Sequence, residues 1–250
     1  MEPIYEEEYK EGITIQIFYD DDPGMNPVED YDMLGKQVYW HSRRNLGHCY
    51  NETNKMSPEE WLKREVVANC WKHLEKDVKY NAWADEQERD GYNADIDTYI
   101  ENDMPMEDLY EAFEKYNLVI PVHAYEHGGI TISASGIRAG WDSFDSGQLG
   151  FVYVSHEDIK KDYNVKRITE EVLDKVATHL ISEVNEYDSY LRGEIYGYKI
   201  IDTVSDEELD SCWGFIGEHK YCLEEARNAA EYWYNEKQKE LELLDQRMTS

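Results

Sequence analysis

The chain predicts an α+β fold: an antiparallel or mixed sheet with packed helices and a long C-terminal helix. Three observations lead there. Short apolar runs bounded by turn residues recur along the chain, as strands require. Between them lie segments with helical apolar spacing and clear N-terminal caps. The stretch from Cys222 to Arg247 contains neither Gly nor Pro and reads as one long terminal helix.

Strands are expected at Ile13 to Tyr19, Gln37 to His41, Leu118 to Tyr125, Ile130 to Ala134 and Leu149 to Val154, with His127-Gly128-Gly129 as a hairpin turn. A second hairpin is expected from Ile195 to Ile201 and Leu209 to Phe215, flanking the polar tract Asp202 to Glu208. Ser57-Pro58-Glu59-Glu60 combines an N-cap serine, proline at the first helical position and glutamate at the capping-box position. That helix is expected to run to about Tyr80, burying Trp61, Val67 and Trp71. Ser155 and Thr169 open two more, the second carrying Val172, Val176, Leu180 and Val184. Ala84 to Asp103, with few aliphatics, reads either as a helical prong solvated on most sides or as a mobile acidic loop. No repeat and no Gly/Ser-rich linker is visible, so residues 1–250 read as a single α+β domain with an acidic prong near 85–114. A weakly separate helical part around 57–116 is the alternative.

Of the 250 residues, 55 are Asp or Glu and 25 are Lys or Arg, a formal charge of -30, yet 41% are apolar and the chain holds 21 Tyr and 7 Trp. Such aromatic content builds a core and argues against a disordered acidic tail. No segment approaches the apolar length of a membrane span, and the acidic start lacks the basic region of a signal peptide, so a cytosolic protein is expected. An anionic membrane would repel it. Cys49, Cys70, Cys212 and Cys222 lie far apart and read as reduced, mostly buried thiols.

The charge is concentrated. Residues 1–35 carry -10 and residues 85–114 carry -11, whereas 36–84 come to +3, 115–168 balance, and the longer tail 169–250 carries -12. Two rows of carboxylates result: Asp85, Glu86, Glu88, Asp90, Asp95, Asp97, Glu101 and Asp103, and then Asp20, Asp21, Asp22, Glu29, Asp30 and Asp32. On a helix, neighbours three or four apart stand about 5 to 6 Å from one another, which can align carboxylates like the charges of a nucleic-acid strand. A plain solvated face is the simpler reading of either row. Tyr92, Tyr99 and Tyr110 near the first row either stack on a partner or pack inward.

The basic exception, Trp40-His41-Ser42-Arg43-Arg44, is expected to pair internally with the Asp20 to Asp32 segment, with an anion site as the alternative. His123, His127, Asp142 and Asp145 are weak candidates for a metal or acid–base cluster, since positions i and i+4 of a strand share a face. No nucleophile elbow, Walker A string or dinucleotide fingerprint is present. No cofactor or catalytic residue is assigned.

Several strings occur in order: Asp32-Met33-Leu34-Gly35; Trp40 to Gly47; His127-Gly128-Gly129-Ile130 with Trp141-Asp142-Ser143; Ser146 to Ser155; Glu194 to Tyr198; and Leu209 to Phe215. The pattern resembles a family of acidic proteins of unassigned activity carried by bacteriophages and plasmids. The family runs tryptophan, aspartate, serine and glycine together, whereas Phe144-Asp145 intervene here before Ser146-Gly147. The resemblance transfers no catalytic residues, but it implies a mobile-element setting and thus interference with host defence.

Together these readings lead to an anti-defence inhibitor that imitates nucleic acid. Its partner is a basic nucleic-acid-binding host protein, such as a defence nuclease, and it binds no nucleic acid itself. The alternatives are a metal-dependent hydrolase or nuclease acting on a nucleotide or phosphodiester, and a protein-binding module without mimicry.

Overall fold

The computed structural model describes residues 2–136 and 145–248, which include two four-stranded antiparallel sheets and the helices packed on them. The fold is α+β, with the long terminal helix in place. Where the sequence leads to one domain, the chain forms two compact units: residues 1–31 with 186–250, and residues 32–185. One boundary, between residues 185 and 186, falls inside the continuous helix Glu170–Leu191, and the other, between residues 31 and 32, lies in a short loop, so no linker marks either.

In the first unit, β1 (Tyr5–Lys10), β2 (Ile13–Tyr19), β7 (Ile195–Asp202) and β8 (Glu207–Ile216) pair in the order β1-β2-β7-β8. The two ends of the chain are joined by β2 and β7, with Ile15 opposite Ile200 and Ile17 opposite Tyr198. The helix α9 (His219–Met248) covers this sheet. Its Cys222, Leu223, Ala226 and Ala230 share a core with Ile13, Ile15, Ile17 and Ile200. Burial pushes the Cys222 thiol up to about 12 and the Tyr198 phenol up to about 12. Strand β1 has no aliphatic residue after Ile4 and escapes a hydrophobic-pattern search. It is held by side chains that reach α9: Arg227 donates twice to Glu7, at 2.8 and 2.9 Å, and Lys10 pairs with Glu231. The short helix α1 (Pro27–Asp30) is capped by Asn26.

Gly197 and Trp213 account for two of the sequence strings. A Cβ on Gly197 would overlap the indole of Trp213, so the ring lies directly over the β7 backbone and reaches Phe18, 5.9 Å away between centroids.

The second unit is built on β3 (Lys36–Tyr39), β6 (Ser146–Ser155), β4 (Asn117–Glu126) and β5 (Ile130–Ser133), in the order β3-β6-β4-β5. The β4–β5 hairpin turns at His127 to Gly129 as expected, with Glu126 opposite Ile130 and Gly128 at φ 75°. Helices α2 (Tyr50–Thr53), α3 (Pro58–Glu65), α4 (Val78–Arg89), α5 (Ile96–Asn102) and α6 (Met106–Glu114) follow β3. The capping box at Ser57 and Glu60 is formed.

The helix expected to run to Tyr80 stops earlier. A π-helical turn, Val66–Cys70, ends it, and Asp77 caps a new helix by accepting from the N–H groups of Lys79 and Tyr80. Trp61 is fully buried, while Val67 and Trp71 are half-buried. The core around Trp61 is aromatic: its ring lies 5.5 Å from Phe151 and 5.8 Å from Phe113, and Phe113 lies 5.0 Å from Tyr153. After β6 come α7 (His156–Asp162), capped by Ser155, and α8 (Glu170–Leu191), which starts after Thr169. Cys49, Cys70 and Cys222 are buried free thiols, but Cys212 is exposed.

Candidate acidic interface

The acidic segment 85–103 is folded. It occupies the end of α4, a turn at Gly91 with φ 79°, and α5. What anchors it is aromatic: Tyr80, Trp83 and Tyr99 form a ring cluster with centroids 5.3 to 6.1 Å apart, and Tyr99 and Ile100 are buried in the core beneath. Lys79 ties the start of α4 to Asp108 of α6 at 2.6 Å. The prong is thus a helical surface seated on the domain. Of the three tyrosines in question, Tyr99 packs inward, Tyr110 packs against the core, and Tyr92 is 67% exposed.

Asp85, Glu86, Glu88, Asp90, Asp95, Asp97, Glu101 and Asp103 are all exposed. Asp95 has a structural task, accepting from the Thr98 N–H at 2.9 Å and from the Thr98 hydroxyl, bonds that hold its carboxyl below the usual range. Among the described residues, the other seven make no ion pair or side-chain hydrogen bond. Arg89, the one base of this stretch, turns its Nε to the Asp85 carbonyl at 3.0 Å. These charges are therefore not neutralised within the fold.

The second row is more mixed. Asp20 accepts from the N–H of Gly214 at 3.1 Å and from that of Asp22 at 3.3 Å, and Asp30 accepts from the Asn26 N–H at 2.6 Å. Both carboxylates therefore close loops. Asp21, Asp22, Glu29 and Asp32 are exposed, and none of them has an ion pair among the described residues.

The basic segment does not pair with Asp20 to Asp32. Its partner is Glu126 at the end of β4, with Arg43 at 2.6 Å, His41 Nε2 at 3.0 Å and Arg44 at 3.7 Å. The antiparallel β3–β6–β4 order brings the end of β3 beside the end of β4, a proximity that sequence distance conceals. Burial raises the Glu126 carboxyl, but Arg43 and His41 outweigh it, and the net shift is downward.

The histidine–aspartate candidates are only partly assembled. His127 lies in the turn and approaches Asp145 at 3.4 Å. His123 stays within β4 opposite Ser133 and Gln148, its Nδ1 is buried without a partner, and its side chain bonds to neither His127 nor Asp145. Strand β4 ends at Glu126, so the period-two alternation that would place His127 on the face of His123 does not reach it. Asp142 lies outside the described residues. Among those described, no three His, Cys, Asp or Glu side chains converge as metal ligands do, and no helix is long and apolar enough to cross a membrane.

Comparison of the chain with protein-family models, with curated proteins and with solved structures finds no match.

Proposed function

We propose that this protein is an anti-defence inhibitor of the phage or plasmid type, acting in the host cytosol. The α4–α5 surface enters the cationic groove of a nucleic-acid-binding host protein and competes with DNA or RNA. The observation that carries this reading is the set of seven exposed carboxylates between Asp85 and Asp103, unpaired within the fold yet seated on the Tyr80–Trp83–Tyr99 cluster. Holding like charges together costs folding energy, and a cationic partner returns it on binding. A groove lined with Lys and Arg accepts carboxylates in place of phosphates because its long-range attraction depends on charge. Inhibition of this kind needs neither turnover nor cofactor.

The test is competition binding against duplex DNA, using DNA-binding proteins recovered from a host lysate at low salt and released at high salt. Affinity is expected to fall steeply with ionic strength. The variant Asp85→Asn/Glu86→Gln/Glu88→Gln/Asp90→Asn removes four exposed charges worth roughly 0.5 kcal/mol each. It is expected to bind about 30-fold more weakly. Unchanged competition by this variant rejects the α4–α5 surface as the contact. Weak salt dependence favours a partner recognised by shape alone.

A further inference from the structure

We infer that His41, Arg43, Arg44 and the Gly128–Gly129 turn form a binding site for a phosphoryl group. The backbone there is shaped for the purpose. His41 Nδ1 accepts from the N–H groups of both Arg43 and Arg44, at 3.1 and 3.0 Å, while its Nε2 meets Glu126. This arrangement sets the tautomer, with the proton on Nε2, and curls the chain so that two consecutive arginines converge on one carboxylate. Consecutive side chains in extended backbone would diverge.

Charge is left over. Among the described residues, Glu126 is the carboxylate paired with the two guanidiniums, and Arg43 and Arg44 remain 74% and 50% exposed. Each guanidinium carries five donors in a planar fork suited to phosphate oxygens. The two arginines, Glu126, Gly128 and Gly129 border a cleft of about 490 Å³. Nothing stands within 4 Å of where a Cβ would sit on either glycine, and their N–H groups make no hydrogen bond among the described residues. The arginines also border a second cleft of about 570 Å³, with Ser42, Asn45 and Asn54, which has room for the organic part of a phosphate monoester. Glu126 holds the guanidiniums in place, and an incoming phosphoryl group takes over its contact with Arg43.

This arrangement gives a test that a purely internal ion pair fails. Inorganic phosphate, a nucleoside monophosphate and, as a control, acetate are titrated into the whole protein while amide resonances of Arg43, Arg44, Gly128 and Gly129 are followed. An ionic strength of about 0.15 M keeps the Debye length near 8 Å and screens the distant carboxylates. Saturable shifts are expected for phosphate, with a dissociation constant on the order of 1 mM. Glu126→Gln, which removes the competing charge, is expected to bind at least threefold more tightly, and Arg43→Ala/Arg44→Ala at least tenfold more weakly while still unfolding cooperatively, with only the small loss of stability that an exposed ion pair carries. Stronger binding of the monophosphate identifies an ester as the occupant, and equal binding identifies the phosphoryl group alone. The inference is overturned if phosphate gives no saturable shift, if Glu126→Gln does not tighten binding, or if acetate binds as well as phosphate.

Discussion

The carboxylate of Glu183 on α8 accepts from the backbone N–H groups of Leu34 and Gly35, at 2.6 and 2.9 Å, and so joins the loop before β3 to a helix about 150 residues away in sequence. Glu183 is 6% exposed and has His179 Nε2 at 3.5 Å. Gly35 is required by this approach, since a Cβ there would overlap Leu180, Val152 and Glu183 itself. Glu183→Ala leaves two backbone donors without their acceptor, at about 1 to 3 kcal/mol each. The expected loss is about 2 to 6 kcal/mol, read as a lower urea midpoint, with Glu183→Gln losing less because it keeps an acceptor. A loss under about 0.5 kcal/mol contradicts this account.

Gly197 and Trp213 behave as one unit. Gly197→Ala drives a methyl into the indole and is expected to destabilise by about 1 to 3 kcal/mol. In the double variant Gly197→Ala/Trp213→Ala the clash has no second partner, so the combined loss is expected to fall short of the sum of the two single losses. Additive losses in a denaturant cycle remove the direct contact from the explanation.

Asp95 separates structure from charge within the acidic row. Asn caps helices as well as Asp does, so Asp95→Asn removes a charge while leaving the melting temperature unchanged. Asp95→Ala loses the cap and is expected to melt at a lower temperature. If both variants melt alike, the bond to the Thr98 N–H contributes nothing measurable.

Alkaline pH is expected to unfold the protein through its buried thiols and phenols. The Cys70 thiol is pushed up to about 11 and the Cys222 thiol to about 12, from an ordinary 9.0, and the Tyr198 phenol to about 12 from 10.0, in each case chiefly by burial. The native state keeps protons that the unfolded chain releases over this range, so each rise in pH favours unfolding. Stability contributed by these groups is fully present below about pH 9 and is lost progressively toward pH 12. Phenolate absorbance that rises smoothly, with no cooperative step coinciding with loss of circular dichroism, contradicts this.

Much of the architecture is legible in the residues themselves. The strand Ile13–Tyr19, the turn at His127 to Gly129 and the caps at Ser57 and Ser155 follow from local patterns, because burial alternation, left-handed glycine and side-chain capping act over a few positions. Strand β1 is not legible, since Glu6, Glu7 and Glu8 give no hydrophobic signal and its side-chain partners, Arg227 for Glu7 and Glu231 for Lys10, lie on α9 more than two hundred residues away. The break after Cys70 is equally hidden, although Asp77 is in retrospect a cap signal.

By itself, then, the sequence determined the fold class, the charge of -30 and its concentration in two segments. Only the tertiary structure decided which carboxylates stand free. Whether an acid is spent on a cap like Asp95, on a loop amide like Asp20 or on nothing like Glu86 depends on which donors the fold brings within about 3 Å. The same holds for Arg43 and Arg44, whose partner Glu126 lies more than eighty residues away and is reached only because β3 and β4 flank β6.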